Sequence, residues 1–514
     1  MKGEQEKLRE RQQGQGKPII TAAVGERRIV AVGNTILHSE KWKTFEDFLF
    51  TYLKMKLGTE WGNAELAKPL AERHTILQWY DEVARLQLDC IALPGEITAT
   101  PATGGVICYL GLAYNLYILD HNSELQERFL SRVRDPKNFQ GAYYELIVAS
   151  ILIRAGFTLV LEDEADLNSK HCEFSAVSRT TGKKYWVEAK MRAVEGLFGK
   201  TAQDGVRGTE RDATGNMTAH IKAALLKPAE DERLIFVDLN AEVHDVDGVP
   251  DWGPMAVRRL EAKERDLQEG QTAYVFVTNL PFHRYISSTA FNRQALAYGL
   301  GMPDFSKPAR RTLIETYKLK QKHIDAHEVM DGLQSYPVFP DTFEGGLRSD
   351  ASNRNIKIGE TYLFTDLGEP PGTVGTVTTA VVNEAEAKAM VAISTPDGKN
   401  LIIAQPMSAD QIADYKRHPD LFFGEESRNG GNIDDPYLLF EWMLKSYSKT
   451  PKERLLEFMV GSSDIDRLKL MTQEDLALIY CERMVFNFLS SHAPEKLNQP
   501  GDDPFRYTRK LRPR

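Results

Sequence analysis

Cysteine is scarce in this chain of 514 residues, and the few cysteines stand far apart. They are Cys90, Cys108, Cys172 and Cys481, and no two of them form a CxxC pair. This usage predicts neither a disulfide framework nor a zinc site. It fits a protein of the reducing cytosol, so we expect a cytoplasmic location.

A long apolar run is lacking as well. The longest, GGVICYLGLAYNLYIL at residues 104–119, is short for a membrane span and contains Asn115 and three tyrosines. It predicts a buried core helix, and we expect no membrane contact. The N-terminal stretch MKGEQEKLRERQQGQGK has no apolar core, so we expect a disordered lead-in and not a secretory signal.

An excess of positive charge is also absent, and so are several common enzyme motifs. The net charge is −9 and the acid excess is spread along the chain, so any nucleic-acid site must be a local patch. There is no GxxxxGK[ST], GxSxG or HExxH sequence. P-loop hydrolysis, a hydrolase elbow and a zincin site are therefore unsupported.

Helical and strand patterns divide the chain into several regions. At roughly 150 residues per domain, its length predicts about three domains. From residue 136 the order of helix, strand, hairpin, helix and strand predicts a multidomain α/β protein with a central sheet. The predicted regions are 1–135 (a hairpin plus helices), 136–345 (an α/β domain with a mostly helical extension), 350–425 (a small β module), 430–500 (a C-terminal helical domain) and 501–514 (a basic tail).

The segment YWVEAKMR, residues 185–192, alternates apolar and polar residues, which predicts a strand with Glu188 and Lys190 on one face. We expect the preceding hairpin to turn at Thr181-Gly182. Paired residue numbers then sum to 363, so that Glu173 lies opposite Lys190 and shares its face. A three-residue loop would shift the pairing by one and put Glu173 on the other face.

A third carboxylate lies upstream, in AYYELIVASILI at residues 142–153. A helix that is apolar all round is buried, so its one charged residue, Glu145, needs a partner or stays protonated. We expect this helix to pack beside the sheet and to direct Glu145 toward Glu173 and Glu188. Carboxylates are hard oxygen ligands for Mg²⁺, which polarises a phosphoryl oxygen and activates water, and the lysine can orient that water.

These residues resemble the core of the PD-(D/E)XK nuclease superfamily, which has the restriction-endonuclease-like fold. The element order α-β-β-β-α-β over residues 136–245 matches as well. The resemblance implies that Glu145, Glu173 and Glu188 bind Mg²⁺, with Mn²⁺ as a substitute, and that Lys190 acts at the water. One position departs from the family: Cys172-Glu173 stands where the family usually has Pro-Asp, or at least Asp.

Two further features accompany the motif. Pro303-Asp304 is a literal PD, but no E-x-K strand follows it at a suitable distance, so we expect a loop there. Basic residues outnumber acids between residues 170 and 227, as phosphate contacts require. The candidates for nucleic-acid contact are Lys183, Lys184, Arg192, Arg207, Arg211 and Lys222. Glycines make 195–215 a predicted mobile loop.

Each of these features has a plain structural alternative. Exposed strands often contain Glu-x-Lys, Glu145 can be salt-bridged to an arginine such as Arg154 or Arg192, and the basic surplus can be a solvated face. His220 is expected on a polar helix face, and Cys172 is expected to be a core thiol.

The residues and the resemblance together predict a Mg²⁺-dependent nuclease that hydrolyses phosphodiester bonds. A DNA endonuclease of DNA processing or host defence is the specific expectation, with DNA preferred over RNA, and a homo-oligomer is compatible with the extra domains. The alternative is an inactive nuclease-fold protein that acts as a nucleic-acid or protein binding module. A further alternative is activity in one of the helical regions, although no motif was found there.

Overall fold

The computed structural model shows a multidomain, mixed α/β protein, as the order of elements predicts. It describes residues 9–10, 13–91, 101–123, 125–161, 173–201, 212–246, 249–289, 292–306, 311–337, 339–340, 343, 356–364, 372–408, 411–412, 415–416, 422–423 and 435–492. Within these residues no helix is both long enough and apolar enough to cross a membrane.

The helices are α1 (Phe45–Leu57), α2 (Thr59–Leu66), α3 (Thr75–Cys90), α4 (Gly104–Asn122), α5 (Glu127–Arg134), α6 (Phe139–Arg154), α7 (Met217–Leu226), α8 (Gly253–Glu264), α9 (Pro303–Ser306), α10 (Leu313–Lys322), α11 (Ile324–Ser335), α12 (Pro436–Tyr447), α13 (Lys452–Phe458), α14 (Ile465–Lys469) and α15 (Gln473–His492). The strands are β1 (Ile20–Val24), β2 (Arg27–Val32), β3 (Thr35–Ser39), β4 (Phe157–Leu161), β5 (Phe174–Ser178), β6 (Lys184–Met191), β7 (Glu232–Asp238), β8 (Asp245–Val246), β9 (Val249–Pro250), β10 (Ala273–Asn279), β11 (Gln294–Leu300), β12 (Thr361–Phe364), β13 (Thr373–Asn383), β14 (Lys388–Ser394) and β15 (Asn400–Pro406).

A six-stranded sheet with the order β11-β10-β7-β6-β5-β4 forms the centre of the protein. Strands β4, β5 and β6 are antiparallel neighbours, whereas β6, β7 and β10 run parallel. Helix α6 shares a hydrophobic core with Val187 and Ala189 on one face of the sheet. Helices α7 and α8 pack with Ile235 and Val237 on the other face, so the sheet is a layer between helices.

The hairpin of β5 and β6 differs in register from the prediction. Phe174 pairs with Val187 and Ser175 with Trp186, so paired numbers sum to 361 and not to 363. The loop is longer than predicted, because the strand pairing ends at Ser178 and Lys183, where the Ser178 amide donates to the Lys183 carbonyl. Within the loop, Gly182 adopts a φ of +72°. A shift of two residues preserves the faces, because side chains alternate with a period of two.

The N-terminal region packs against this sheet as part of one core. Helix α1 begins after the capping box of Thr44 and Asp47 and is capped at its carboxyl end by Gly58. Helix α4 is the predicted core helix, and nearly all of its side chains are buried. The predicted hairpin is extended by β3 into a three-stranded sheet. One hydrophobic cluster runs from Val30 through α4 and α6 to Phe343.

The later regions have separate cores. Strands β12–β15 form an antiparallel sheet with its own apolar cluster, and α12–α15 form another cluster, to which α10 contributes. The region expected to be mostly helical contains the edge strand β11. Pro303-Asp304 begins the short helix α9 and not a loop, and the Asp304 carboxylate contacts Lys322 and lies 3.3 Å from His323 Nε2.

Candidate active site

An acidic group and an amine meet where β5 and β6 lie side by side. Glu188 and Lys190 lie on β6, and Glu173 directly precedes β5. The Lys190 ammonium contacts the Glu173 carboxylate and lies 3.0 Å from Glu188 Oε1. Glu188 is 2 % exposed, so its charge depends on these contacts. The structure therefore brings all three side chains to one point.

A second lysine completes the surroundings of Glu188. Lys227 Nζ lies 2.8 Å and 2.7 Å from the two carboxylate oxygens of Glu188. Lys227 follows the last residue of α7, so the crossover helix delivers it to the strand. Lys227 lies within the basic surplus of residues 170–227, but no role was predicted for it. In the sequence, Lys227 lies between a helix and a strand, and nothing in this position predicts a contact with Glu188.

Glu145 is buried in α6, as predicted, but its partner differs from those proposed. Arg132 of α5 donates two hydrogen bonds to its carboxylate, at 2.7 Å and 2.8 Å. An arginine salt bridge was the structural alternative to metal binding, with Arg154 and Arg192 as the suggested partners. Burial raises the pKa of Glu145 and so does the negative charge of Glu173, while Arg132 and Lys190 oppose the increase. Glu145 and Glu173 are thus close enough to repel each other.

The pKa of Lys190 is set by two opposing effects. Burial lowers it, but the carboxylates of Glu173 and Glu188 outweigh burial, and the net pKa is raised. Lys190 is therefore an ammonium at neutral pH and a donor, not a base.

His220 of α7 is half-buried. Its pKa is lowered by burial and then by the positive charge of Lys190. The imidazole is thus neutral at pH 7 and is not a plain polar-face residue.

The predicted ligands of a divalent cation are the carboxylates of Glu145, Glu173 and Glu188. In the described ranges no group of three or more His, Cys, Asp and Glu side chains is arranged to hold a metal ion. Two carboxylates nevertheless converge on one positive charge, because Lys190 Nζ contacts both Glu173 and Glu188. Carboxylate oxygens are the ligands that Mg²⁺ prefers, so the residues present fit such a cation in the place of the ammonium.

The predicted nucleic-acid residues are distributed unevenly. Lys183 and Lys222 are exposed, and Lys184 Nζ lies 4.4 Å from the ring centroid of Trp186. Arg192 is half-buried just beyond β6. Arg207, Arg211, Cys172 and residues 202–211 of the predicted loop at 195–215 lie outside the described residues.

Asp325, which no sequence motif indicates, holds the hairpin in place. Asp325 of α11 accepts hydrogen bonds from Ser178 Oγ at 2.7 Å, from Thr181 Oγ1 at 2.6 Å and from the Tyr185 hydroxyl at 2.7 Å. These donors come from both strands and from the loop between them. Asp325 thereby favours the observed register, on which the contact of Glu173 with Lys190 depends.

Comparisons of the chain with protein-family models, with curated proteins and with solved structures found no significant match. The resemblance to the PD-(D/E)XK superfamily therefore depends on the residues and on the element order alone.

Proposed function

We propose that the protein is a Mg²⁺-dependent nuclease of the restriction-endonuclease-like type, with DNA as its substrate. One observation carries the proposal: Lys190 joins Glu173 and Glu188 on one face of the sheet, and the charges of Glu173 and Lys190 both affect the pKa of Glu145. The order α6-β4-β5-β6-α7-β7 supports it. A cytoplasmic role in DNA processing or host defence belongs to the same proposal.

In this proposal Glu173 and Glu188 hold the cation, and Glu145 adds negative charge beside them. Mg²⁺ would stabilise charge on the phosphoryl oxygens and activate water for attack. Lys190, which is cationic at neutral pH, donates a hydrogen bond to the water or to the developing negative charge. Lys227 holds Glu188 in the rotamer that faces Lys190.

A second candidate function is a nucleic-acid or protein binding module without catalysis. The observation that favours it is that each of the three carboxylates already has a cationic partner: Arg132 for Glu145, Lys190 for Glu173, and two lysines for Glu188. Such a network stabilises a fold without any metal, provided that every member keeps its partner.

Incubation of plasmid and linear DNA with Mg²⁺ or Mn²⁺ separates the two candidates. The enzyme proposal expects cleavage by the wild type and at least a 100-fold loss in Glu188→Gln and Lys190→Ala, because both changes remove charge at the reacting centre (about 2.7 kcal/mol). Lys445→Ala is the matched control, since Lys445 is exposed on the distant helix α12. Cleavage that persists in both site variants would place the activity elsewhere.

Absence of cleavage on every DNA form, together with no binding of Mn²⁺, would favour the binding module. Parallel reactions with single-stranded RNA would show whether DNA is the preferred substrate.

A further inference from the structure

Three parallel strands end side by side next to the acidic site. Strands β6, β7 and β10 are neighbours with the same direction, so their carboxyl ends lie at one edge of the sheet. Polar residues lie just beyond these ends: Arg192 directly after β6, Asn240 two residues after β7, and Arg284 in the short 3-10 helix Phe282–Arg284 beyond β10. The carboxyl edge of parallel strands is where ligands commonly bind in α/β proteins.

Asn240 connects the two arginines. Its side-chain Oδ1 accepts from Arg284 Nε at 3.1 Å, and its backbone carbonyl accepts from Arg284 Nη2 at 2.6 Å. Its Nδ2 donates to the Arg192 carbonyl at 3.0 Å. Asn240 is fully buried and has a φ of +43°, a left-handed conformation that non-glycine residues rarely adopt. The strained Asn240 thus holds the Arg284 guanidinium and the backbone of Arg192.

The direction of the Arg192 side chain follows from the strand. Arg192 directly follows β6, and its amide donates to the Asp238 carbonyl at 2.9 Å, so the pairing with β7 extends to it; alternation from Glu188 and Lys190 then places Arg192 on their face. Two residues along a strand span about 6.6 Å, which places the start of the Arg192 side chain one step from Lys190.

Arg192 and Arg284 meet at Asn240, which contacts the Arg284 guanidinium and the Arg192 carbonyl. The pKa of Arg284 is lowered by burial and then by the charge of Arg192, and burial also lowers the pKa of Arg192. The acids that oppose this are the buried Asp238, together with Asp212 and Glu242. Asp212 already contacts Arg259, and Asp238 accepts three hydrogen bonds from Thr278, Asn240 and Leu280.

We infer that Arg192 and Arg284, which meet at Asn240, form a phosphate-binding subsite beside the acidic group. Its ligand is a backbone phosphate of a nucleic-acid chain, and this identity rests on the proposed function. Guanidinium groups present several donors in a plane that matches phosphate oxygens, and two adjacent cations favour an anion between them. The subsite positions the chain so that the neighbouring phosphate reaches Glu173 and Glu188.

The test is a binding measurement on the full chain in EDTA, so that no metal and no cleavage are involved. A fluorescein-labelled 12-mer is titrated by anisotropy at several salt concentrations, and inorganic phosphate is assayed by thermal shift against chloride at equal ionic strength. Arg192→Gln is the principal variant, because Asn240 donates to the Arg192 carbonyl, which the substitution retains. Arg284→Gln is the second variant, and Arg265→Gln on the exposed end of α8 is the control.

We expect at least tenfold weaker oligonucleotide binding in each site variant and a salt slope that is smaller by about one. Stabilisation by inorganic phosphate should disappear in Arg192→Gln and persist in Arg265→Gln. Equal affinity and equal salt slope in the wild type and in a folded Arg192→Gln variant would overturn the subsite. Phosphate binding that depends on Arg192 without a change in oligonucleotide binding would overturn its assignment to nucleic acid.

These results do not depend on cleavage. A protein that binds through Arg192 and Arg284 but leaves DNA intact with Mg²⁺ would retain the subsite and lose the nuclease proposal.

Discussion

Lys190 Nζ lies 3.0 Å from Glu188 Oε1, so the acid and the amine that stand two residues apart on β6 form a direct ion pair. The same ammonium contacts Glu173 from the neighbouring strand. A divalent cation bound by these two carboxylates would therefore have to displace Lys190. Metal binding and the ion pair compete for the same oxygens.

This competition leads to a prediction for Lys190→Ala. Without the ammonium, Glu173 and Glu188 repel each other and have a greater need for a cation, so Mn²⁺ binding should be retained or become tighter while cleavage is lost. Isothermal titration with Mn²⁺ measures the affinity, with Lys445→Ala as the control. Loss of Mn²⁺ binding in Lys190→Ala would contradict the assignment of both carboxylates as ligands.

A second prediction concerns the buried pair of Glu145 and Arg132. Arg132→Leu leaves the Glu145 carboxylate buried without this partner, and we expect a loss of about 3 kcal/mol in the free energy of unfolding. Glu145→Gln together with Arg132→Leu should recover most of it, because the buried charge is then gone. Urea denaturation followed by tryptophan fluorescence measures each step of this double-mutant cycle. Equal stability of Arg132→Leu and the wild type would show that the pair is energetically neutral.

A third prediction tests the anchor of the hairpin. Asp325→Ala leaves the buried hydroxyl groups of Ser178 and Tyr185 without their acceptor, which should lower the free energy of unfolding by about 3 kcal/mol. The hairpin register also brings Glu173 to Lys190. The affinity for Mn²⁺ should therefore fall together with the free energy of unfolding. Asp331→Ala, a change at an exposed position on the same helix, serves as the control and should alter neither quantity.

A fourth prediction concerns pH. Burial raises the pKa of Asp238 to about 6, although hydrogen bonds from Thr278, Asn240 and Leu280 oppose the increase. Between pH 3.8 and about 6, Asp238 therefore carries a proton in the native state that it has already released in the unfolded state. The contribution of Asp238 to the free energy of unfolding is fully present below its ordinary pKa of 3.8 and falls by about 3 kcal/mol as the pH rises through 6.

The measurement is the difference between the wild type and Asp238→Asn in urea denaturation from pH 4 to pH 7. The difference is needed because His283 acts in the opposite direction: burial lowers its pKa to about 3, so its contribution is lost as the pH falls. A difference that stays constant with pH would mean that Asp238 is ionised throughout the range.

Several features of the protein follow from the sequence alone. Strand β6 and the shared face of Glu188 and Lys190 follow from alternation over eight residues, because successive side chains of a strand point to opposite faces. Helix α1 follows from Thr44 and Gly58, since a cap and a stop act within a few residues. The α/β class follows from the order of such local patterns.

Other features were decided only by the tertiary structure. The partner of Glu145 is Arg132 and not Arg154, and Lys227 reaches Glu188 from the end of another helix. The hairpin register is shifted by two residues and is held by Asp325, which lies 140 positions from Tyr185 in the chain. Local geometry sets which face a side chain occupies, whereas the meeting of two charges from separate elements depends on how those elements pack. That packing minimises the energy of the whole core, and no short segment of the sequence encodes it.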